Sequence, residues 1–250
     1  MPILKSLKEK GRLDTLMLEK GLVKSRQEAQ GLILAGLITV NGEIVTRAGQ
    51  RLSPESTIKI LRDYCPYVSR GGLKLQAALD KFQLRVENKI ALDVGASTGG
   101  FTDCLLQHGA RKVYAVDVGH GQLDWRLRND SRVVLLERTN VRYLRPADLP
   151  EKADLATIDV SFISLVLVLP VVKNLLHSPG QILALIKPQF EVGKGEVGKG
   201  GVVKDLDKHQ EVIQKITACA EKLGLVLHGV IQSPLKGPKG NLEYFIHLSQ

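Results

Sequence analysis

The sequence predicts an α/β protein: a doubly wound sheet of seven strands, preceded by a small N-terminal α+β module. Three observations carry this. Seven short apolar runs, at 90–94, 113–118, 133–136, 155–158, 182–186, 225–231 and 243–247, alternate with helical patterns. The first run ends in the glycine turn Asp93-Val94-Gly95-Ala96-Ser97-Thr98-Gly99-Gly100, and a helical pattern follows from Phe101. That is the ligand-binding corner of such a sheet. The first sixty residues read instead as two short helices and a hairpin.

The N-terminal elements follow in order. Arg12-Leu13-Asp14, with Leu16, Met17 and Leu18, opens a short helix that Gly21 ends. Ser25-Arg26-Gln27-Glu28 is a capping box, and its helix sets Ala29, Leu32 and Ile33 on one side before stopping near Gly36. Asn41-Gly42 between 37–40 and 43–46 is a strong hairpin signal, and 58–61 reads as a returning strand. The predicted division is a domain over 1–63, a linker over 64–70 and a larger domain over 71–250. In the larger domain Leu75, Leu79 and Phe82 make the first helix face.

Composition narrows the function. A formal charge of +9 points to an anionic partner, most simply nucleic acid. Residues 1–63 hold eleven Lys and Arg against seven Asp and Glu, so the basic excess is densest there. Aromatic residues at 4% argue against a platform that stacks many single-stranded bases. Cys65, Cys104 and Cys219 are widely spaced and form no C-x-x-C, as expected of reduced thiols in the cytoplasm. No Cys/His cluster has metal-ligand spacing, so no metal is expected. Met1 to Lys10 lacks the apolar centre of a secretory leader. The most apolar stretch, Ile163 to Val172, is interrupted by Pro170 and falls short of the ~18 residues that suggest a membrane span.

The glycine spacing is specific. In the dinucleotide fingerprint G-x-G-x-x-G the second glycine admits a pyrophosphate. Gly95 and Gly100 fit the outer places, but Ser97 holds the middle one, and Asp93 precedes the turn. A carboxylate there suits a cationic cofactor. Asp117 lies 22 residues after Gly95, about where a ribose-binding acid sits in a doubly wound site, ~20 residues on. Residues 193–200 spell G-x-x-x-x-G-K, but Gly200 stands where a P-loop needs Ser or Thr and no strand leads in. A mobile basic loop covering substrate is the expectation there.

Four further residues stand at element ends: Lys74 near the start of the first helix, Asp159 after the fourth run, Lys187 after the fifth with Pro188 turning the chain away, and Glu243 in the last. Singly, each is compatible with an ordinary surface or edge position.

Several stretches resemble known families. Arg12-Leu13-Asp14, S-R-x-x-A at Ser25 to Ala29 and G-L-I-x-V-N-G at Gly36 to Gly42 resemble the S4 RNA-binding domain. That resemblance implies that Arg12, Ser25, Arg26 and the strip around Asn41 to Glu43 face RNA phosphates; Arg70, outside that stretch, is expected as a further RNA contact. The glycine turn is similar to the D-x-G-x-x-x-G-G loop of S-adenosylmethionine-dependent methyltransferases. Y-V-S-R-G-G-L-K-L at Tyr67 to Leu75, D-V-S-F-I-S at Asp159 to Ser164, K-P-Q-F-E at Lys187 to Glu191 and N-x-E-Y-F from Asn241 occur in order. Together they resemble the TlyA (hemolysin A) family, in which an S4 domain precedes an FtsJ-like 2′-O-ribose methyltransferase with a Rossmann-like sheet.

The resemblance implies a Lys-Asp-Lys-Glu tetrad. Lys187 would act as base on the 2′-hydroxyl, Asp159 and Lys74 would set its charge state and hold the ribose, and Glu243 would complete the network. It also implies S-adenosylmethionine held by Asp93, Gly95, Ala96, Ser97, Thr98, Gly99, Gly100, Phe101, Asp117 and Val118, with ribosomal RNA cytidines, free or in ribosomal subunits, as partner. Three other readings compete: a membrane-active hemolysin, a non-catalytic RNA-binding assembly factor and an NAD-dependent oxidoreductase.

Overall fold

A computed structural model describes residues 10–23, 25–34, 36–60, 65–193, 195–198, 200–237 and 240–250. The chain divides into two compact units, 1–64 and 65–250.

In the first unit, β1 (Gly11–Arg12) leads into α1 (Leu13–Glu19), and α2 (Arg26–Leu34) follows. Next come β2 (Ile38–Val40), β3 (Glu43–Ile44), β4 (Arg51–Leu52) and β5 (Ile58–Ile60). β2 is the centre of a three-stranded antiparallel sheet, between β3 and β5. The hairpin turn forms at Asn41-Gly42, with φ of 52° and 93°, the left-handed pair that Asn-Gly supports. Leu13, Met17, Ile33 and Ile38 make its core. A second pairing, β1 with β4, was not foreseen, because two-residue strands are too short to show alternation.

The deepest polar group here is Asp14, fully buried in α1. Arg12 donates to both its oxygens at 3.0 and 2.9 Å, Arg26 to Oδ2 at 3.0 Å and Gln30 to Oδ2 at 2.9 Å. The guanidinium of Arg12 holds the carboxyl far below its ordinary range, against the cost of burial. One acid thus ties β1, α1 and α2 together.

The second unit contains α3 (Gly71–Phe82), β6 (Ile90–Val94), α4 (Gly100–Gln107), β7 (Lys112–Val116), α5 (Trp125–Arg128) and β8 (Val133–Leu136). After these come β9 (Ala153–Ile158), α6 (Leu165–Asn174), β10 (Leu176–Ile186), α7 (Pro188–Glu191), α8 (Leu206–Lys222), β11 (Val226–Gln232) and β12 (Tyr244–Ser249). The sheet order is β8-β7-β6-β9-β10-β12-β11. α6 and α8 cover one face, where Leu165, Val168 and Ile216 meet Leu92 and Ile158. α3 and α4 cover the other, where Leu75 and Leu105 meet Ala91 and Leu155. All seven expected strands are present. β10 starts six residues early because Ser178-Pro179-Gly180 disguises its first half, across an irregular register.

Two features mark the ends of this unit. The last strand is not parallel: β12 runs antiparallel to both β10 and β11 and lies between them. Among the described residues the β11–β12 connection shows no crossover helix, which a parallel return requires. The stretch expected as a linker, 64–70, makes contacts of its own. Tyr64 lies outside the described residues, but from Cys65 onward the chain packs on the second unit. Tyr67 is buried with its hydroxyl donating to Gln76 at 2.8 Å, and the Val68 N–H donates to Asp103 at 2.8 Å.

Removing Asp14 takes away the acceptor shared by two half-exposed guanidinium groups and an amide, which can turn to water. We expect Asp14→Ala to destabilise the first unit by about 1–3 kcal/mol, the scale of lost hydrogen bonds to a charged group. Limited proteolysis should then cut between residues 10 and 60 while the second unit stays resistant. An unchanged cleavage pattern would refute this role for Asp14.

Candidate active site

Register brings the four end-of-element residues to one place. Parallel pairing sets Ala184 of β10 opposite Ile158 of β9, so Asp159 and Lys187 leave the sheet at the same end. Antiparallel pairing sets Ile186 opposite Tyr244, so Glu243, one residue before β12, lies beside Lys187. α3 delivers Lys74 from the adjoining face.

The contacts are short. Lys187 Nζ is 2.5 Å from Asp159 Oδ1 and donates to Ser161 Oγ at 3.1 Å. Lys187 is the charged partner of Asp159 Oδ1, and no second donor reaches that buried oxygen. Lys74 Nζ donates to Glu243 Oε2 at 2.6 Å. Glu243 is 1% exposed, and its other oxygen, Oε1, also lacks a donor. Gly237 makes room for it, since a Cβ there would sit 1.9 Å from Oε1. Two buried acceptors with unused capacity thus lie among the four side chains, and such groups normally have partners.

Two cavities meet here. The smaller, about 280 Å³, is lined by Lys74, Asp159, Lys187 and Glu243 together with Arg70 and Lys236. The larger, about 730 Å³, lies over the carboxyl ends of β6, β7 and β9. Gly95, Ser97 and Asp159 line both. Gly95 has φ of 88°, and a Cβ there would lie 2.4 Å from the Asp159 carbonyl, so only glycine lets the β6 turn close on β9.

Of the residues expected to bind cofactor, Gly95, Ser97, Asp117 and Val118 line the larger cavity. Ala96, Thr98, Gly100 and Phe101 line the smaller one. Asp117 fixes the rim by accepting from the Ser97 N–H at 2.8 Å and the Gly119 N–H at 2.6 Å. Gly99 lines neither cavity.

Asp93 stands apart from the other expected cofactor residues. Strand alternation turns it toward α4, and register places it opposite Thr157. It is fully buried and takes hydroxyl hydrogen bonds from Thr102 at 2.6 Å and Thr157 at 3.2 Å. It supports the glycine turn from behind and faces neither cavity.

The expected RNA contacts are mostly in use within the first unit. Arg12 and Arg26 hold Asp14 while their side chains stay about half exposed, at 47% and 52%. Ser25 Oγ caps α2 through the Glu28 N–H, and Asn41 Oδ1 accepts from the Thr57 N–H. Arg70 is exposed in the second unit, at the smaller cavity. In 193–200, Lys194 and Lys199 lie outside the described residues. Helix α7, not a strand, precedes this segment, and Glu196 accepts from the Gly193 N–H, so it is not built as a P-loop.

Sequence reasoning missed Thr139, Asn140, Phe162 and Phe190 of the larger cavity. The first two follow β8, and loops after strands of such a sheet are where ligands bind. Phe162 is 90% exposed, has φ of 61° and tilts against Phe190 at 4.8 Å. A bulky residue in that region is strained, a feature that clusters at functional sites.

A family model described as FtsJ-like methyltransferase matches residues 67–250, and one described as S4 domain matches residues 11–58. The chain belongs to the FtsJ-like methyltransferase family. This FtsJ-like methyltransferase is 46% identical over 241 residues to a candidate rRNA methyltransferase, YqxC, of Bacillus subtilis, covering 96% of this chain and 86% of the relative. It is 45% identical over 240 residues to the 16S/23S rRNA (cytidine-2′-O)-methyltransferase TlyA of Mycobacterium tuberculosis, covering 96% and 90%. A solved candidate hemolysin from Streptococcus thermophilus superposes with a TM-score of 0.76 at 44% identity, covering 97% of this chain and 89% of its own. S-adenosylmethionine-dependent methyltransferases of 15% and 13% identity share the fold, at TM-scores of 0.56 and 0.53. Membership in this family removes the oxidoreductase reading. Among the described residues, no helix is long and apolar enough to cross a membrane.

Burial pushes Asp93 up to about 7, outweighing the two threonine hydroxyls. An unfolded aspartate titrates near 4, so between pH ~4 and 7 the folded state holds an extra proton and loses stability as pH rises. Burial holds His247 down to about 4, which tilts stability the opposite way between pH ~4 and 6.5. We expect Asp93→Asn to gain on the natural protein as pH rises, by up to ~1.4 kcal/mol per pK unit removed. Urea midpoints at pH 4.5 and 8 measure it, and an equal difference at both values would contradict the protonated assignment.

Proposed function

We propose that this protein methylates ribose 2′-hydroxyls of ribosomal RNA, cytidine in particular, with S-adenosylmethionine as donor. One observation carries the reading. The cavity holding Lys74, Asp159, Lys187 and Glu243 shares a wall with the larger cavity at the strand ends. A donor bound in one would face an acceptor bound in the other. The named activity of the Mycobacterium tuberculosis relative supports the same substrate, and an RNA substrate places the work with ribosomes in the cytoplasm.

The larger cavity fits the donor. Asp117 offers carboxylate lone pairs to ribose hydroxyls, Val118 and Leu167 offer exposed apolar faces to a base, and Asp159 Oδ1 is a buried acceptor beside them. Bound S-adenosylmethionine supplies an electrophilic methyl group on a sulfonium that departs as a thioether.

The chain's own residues do the rest. In its amine form Lys187 accepts the 2′-hydroxyl proton as the new O–C bond forms. Asp159 fixes that amine and balances the ammonium it becomes. Glu243 Oε1 accepts from a ribose hydroxyl, and Lys74 holds Glu243 in place. Much of the acceleration then comes from alignment, with proton removal the chemical assistance. The half-exposed guanidinium groups of Arg12 and Arg26 offer N–H donors to phosphates.

Labelled S-adenosylmethionine and purified small and large ribosomal subunits test the reading, with 2′-O-methyl sites mapped afterwards. We expect label on defined riboses. Lys187→Ala should keep the donor dissociation constant within about 3-fold and lower the transfer rate at least ~100-fold, the scale of a lost general base. Transfer at the normal rate by that variant would remove Lys187 from the role, and absence of label from both subunits would remove ribosomal RNA as substrate.

A further inference from the structure

The last residue of K-P-Q-F-E has no part in the chemistry above, yet it is a buried acid with four contacts. Glu191 is 6% exposed. Its Oε2 accepts from Ser164 Oγ at 2.6 Å and from Lys215 Nζ at 3.2 Å, and its Oε1 accepts from the Leu165 N–H at 2.7 Å. Lys215 also donates to its carbonyl at 2.8 Å. A buried carboxylate must be satisfied in this way or be neutralised.

Those contacts join two active-site segments. Glu191 ends α7, which starts directly after Lys187 with Pro188 at its first position. The Phe190 N–H donates to the Lys187 carbonyl at 2.9 Å, so Glu191 and Lys187 are held a fixed turn apart. Ser164 and Leu165 stand where the Asp159 segment enters α6, and Ser164 Oγ accepts from the Val166 N–H at 3.2 Å. Residues 160–163 belong to no helix or strand. Upstream they hang from the Asp159 N–H, which donates to the Val94 carbonyl at 2.9 Å. Downstream they hang from Glu191. Between those ends lie Ser161, which accepts from Lys187, and the strained Phe162.

We propose that Glu191 is a positioning residue: it sets the separation between Lys187 and the Asp159–Ser161 segment, and so the direction in which the Lys187 amine points. Phe162, Ser164 and Phe190 also line the larger cavity, so the same carboxylate shapes the wall of the donor site. This role rests on the methyl-transfer reading, which gives Lys187 its task. It predicts a loss in turnover without loss of RNA affinity, because Glu191 lines neither cavity.

The experiment compares Glu191→Ala, Glu191→Gln and Asp154→Ala. Asp154 accepts from the Ile90 N–H at 2.9 Å at the far end of the sheet and serves as a stability control. Glu191→Ala should lower kcat on the order of 100-fold, the scale of an ångström-sized misplacement. KM for ribosomal subunits should stay within about 3-fold. Glu191→Gln keeps an acceptor for Leu165 and should recover most of the rate. Asp154→Ala should lose stability with kcat within about 2-fold of the natural protein.

Hydrogen exchange gives a readout independent of activity: amides 160–165 should exchange faster in Glu191→Ala, with β6 and β9 amides unchanged. A kcat for Glu191→Ala equal to that of Asp154→Ala at matched stability would overturn the proposal. Unchanged exchange at 160–165 would overturn it also. If the natural protein transfers no methyl group to any RNA, the methyl-transfer reading fails, and the exchange result alone decides whether Glu191 fixes the segment. Should Glu191→Ala not fold, Ser164→Ala with the same readouts takes its place.

Discussion

The site depends on one pairing, the antiparallel insertion of β12 between β10 and β11. In a wholly parallel sheet the residue before the last strand would lie at the amino ends, a strand length from Lys187. Reversing β12 turns that residue over to the carboxyl ends. Glu243 then meets Lys74, and the wall formed by the 233–243 connection closes the smaller cavity with Leu235 and Lys236. Hydrogen bonds on both sides hold β12 in register. A slip of one residue would send Glu243 to the other face of the sheet.

Four buried acids show four ways of keeping a carboxyl out of water. Asp14 is overpaid in cations and serves the fold. Asp93 is held by Thr102 and Thr157 with no cation beside it, and keeps its proton near neutrality. Glu191 shares itself among a backbone amide, a hydroxyl and a lysine. Glu243 has a lysine on one oxygen and nothing on the other. Only the last, with Asp159, keeps acceptor capacity facing a cavity, which separates groups available to a ligand from groups committed to structure.

Much of this was legible in the residues. Strand periodicity located all seven strands of the large sheet, and Asn41-Gly42 located the hairpin, because local backbone preference and burial agreed there. Asp159 and Lys187 could be placed at strand ends, Glu243 in the last strand and Lys74 at a helix start, but their meeting depended on the direction of β12, which no local pattern encodes. The burial of Asp93 was hidden for a related reason. Its position before the turn suggested a ligand contact, whereas the side chain follows strand alternation into the α4 face and meets Thr102 and Thr157. Asp14 and Glu191 were invisible as anchors because their partners are distant in sequence or lie on elements with no recognisable spacing.

Strand order also has a consequence for how the molecule is made. β11 leaves the ribosome before β12, yet β12 belongs between β10 and β11. The nascent chain therefore cannot close its sheet progressively from one edge. The slot beside β10 stays open, with unpaired backbone donors and acceptors, until the 233–243 connection has emerged and folded back. Pairings of this kind join segments far apart in sequence and form slowly. The smaller cavity is completed only after β12 has followed β10 and β11, so a chain synthesised as far as β11 carries the glycine turn and Lys187 without Glu243. Completion of this end of the sheet thus waits on β12, an order set by topology.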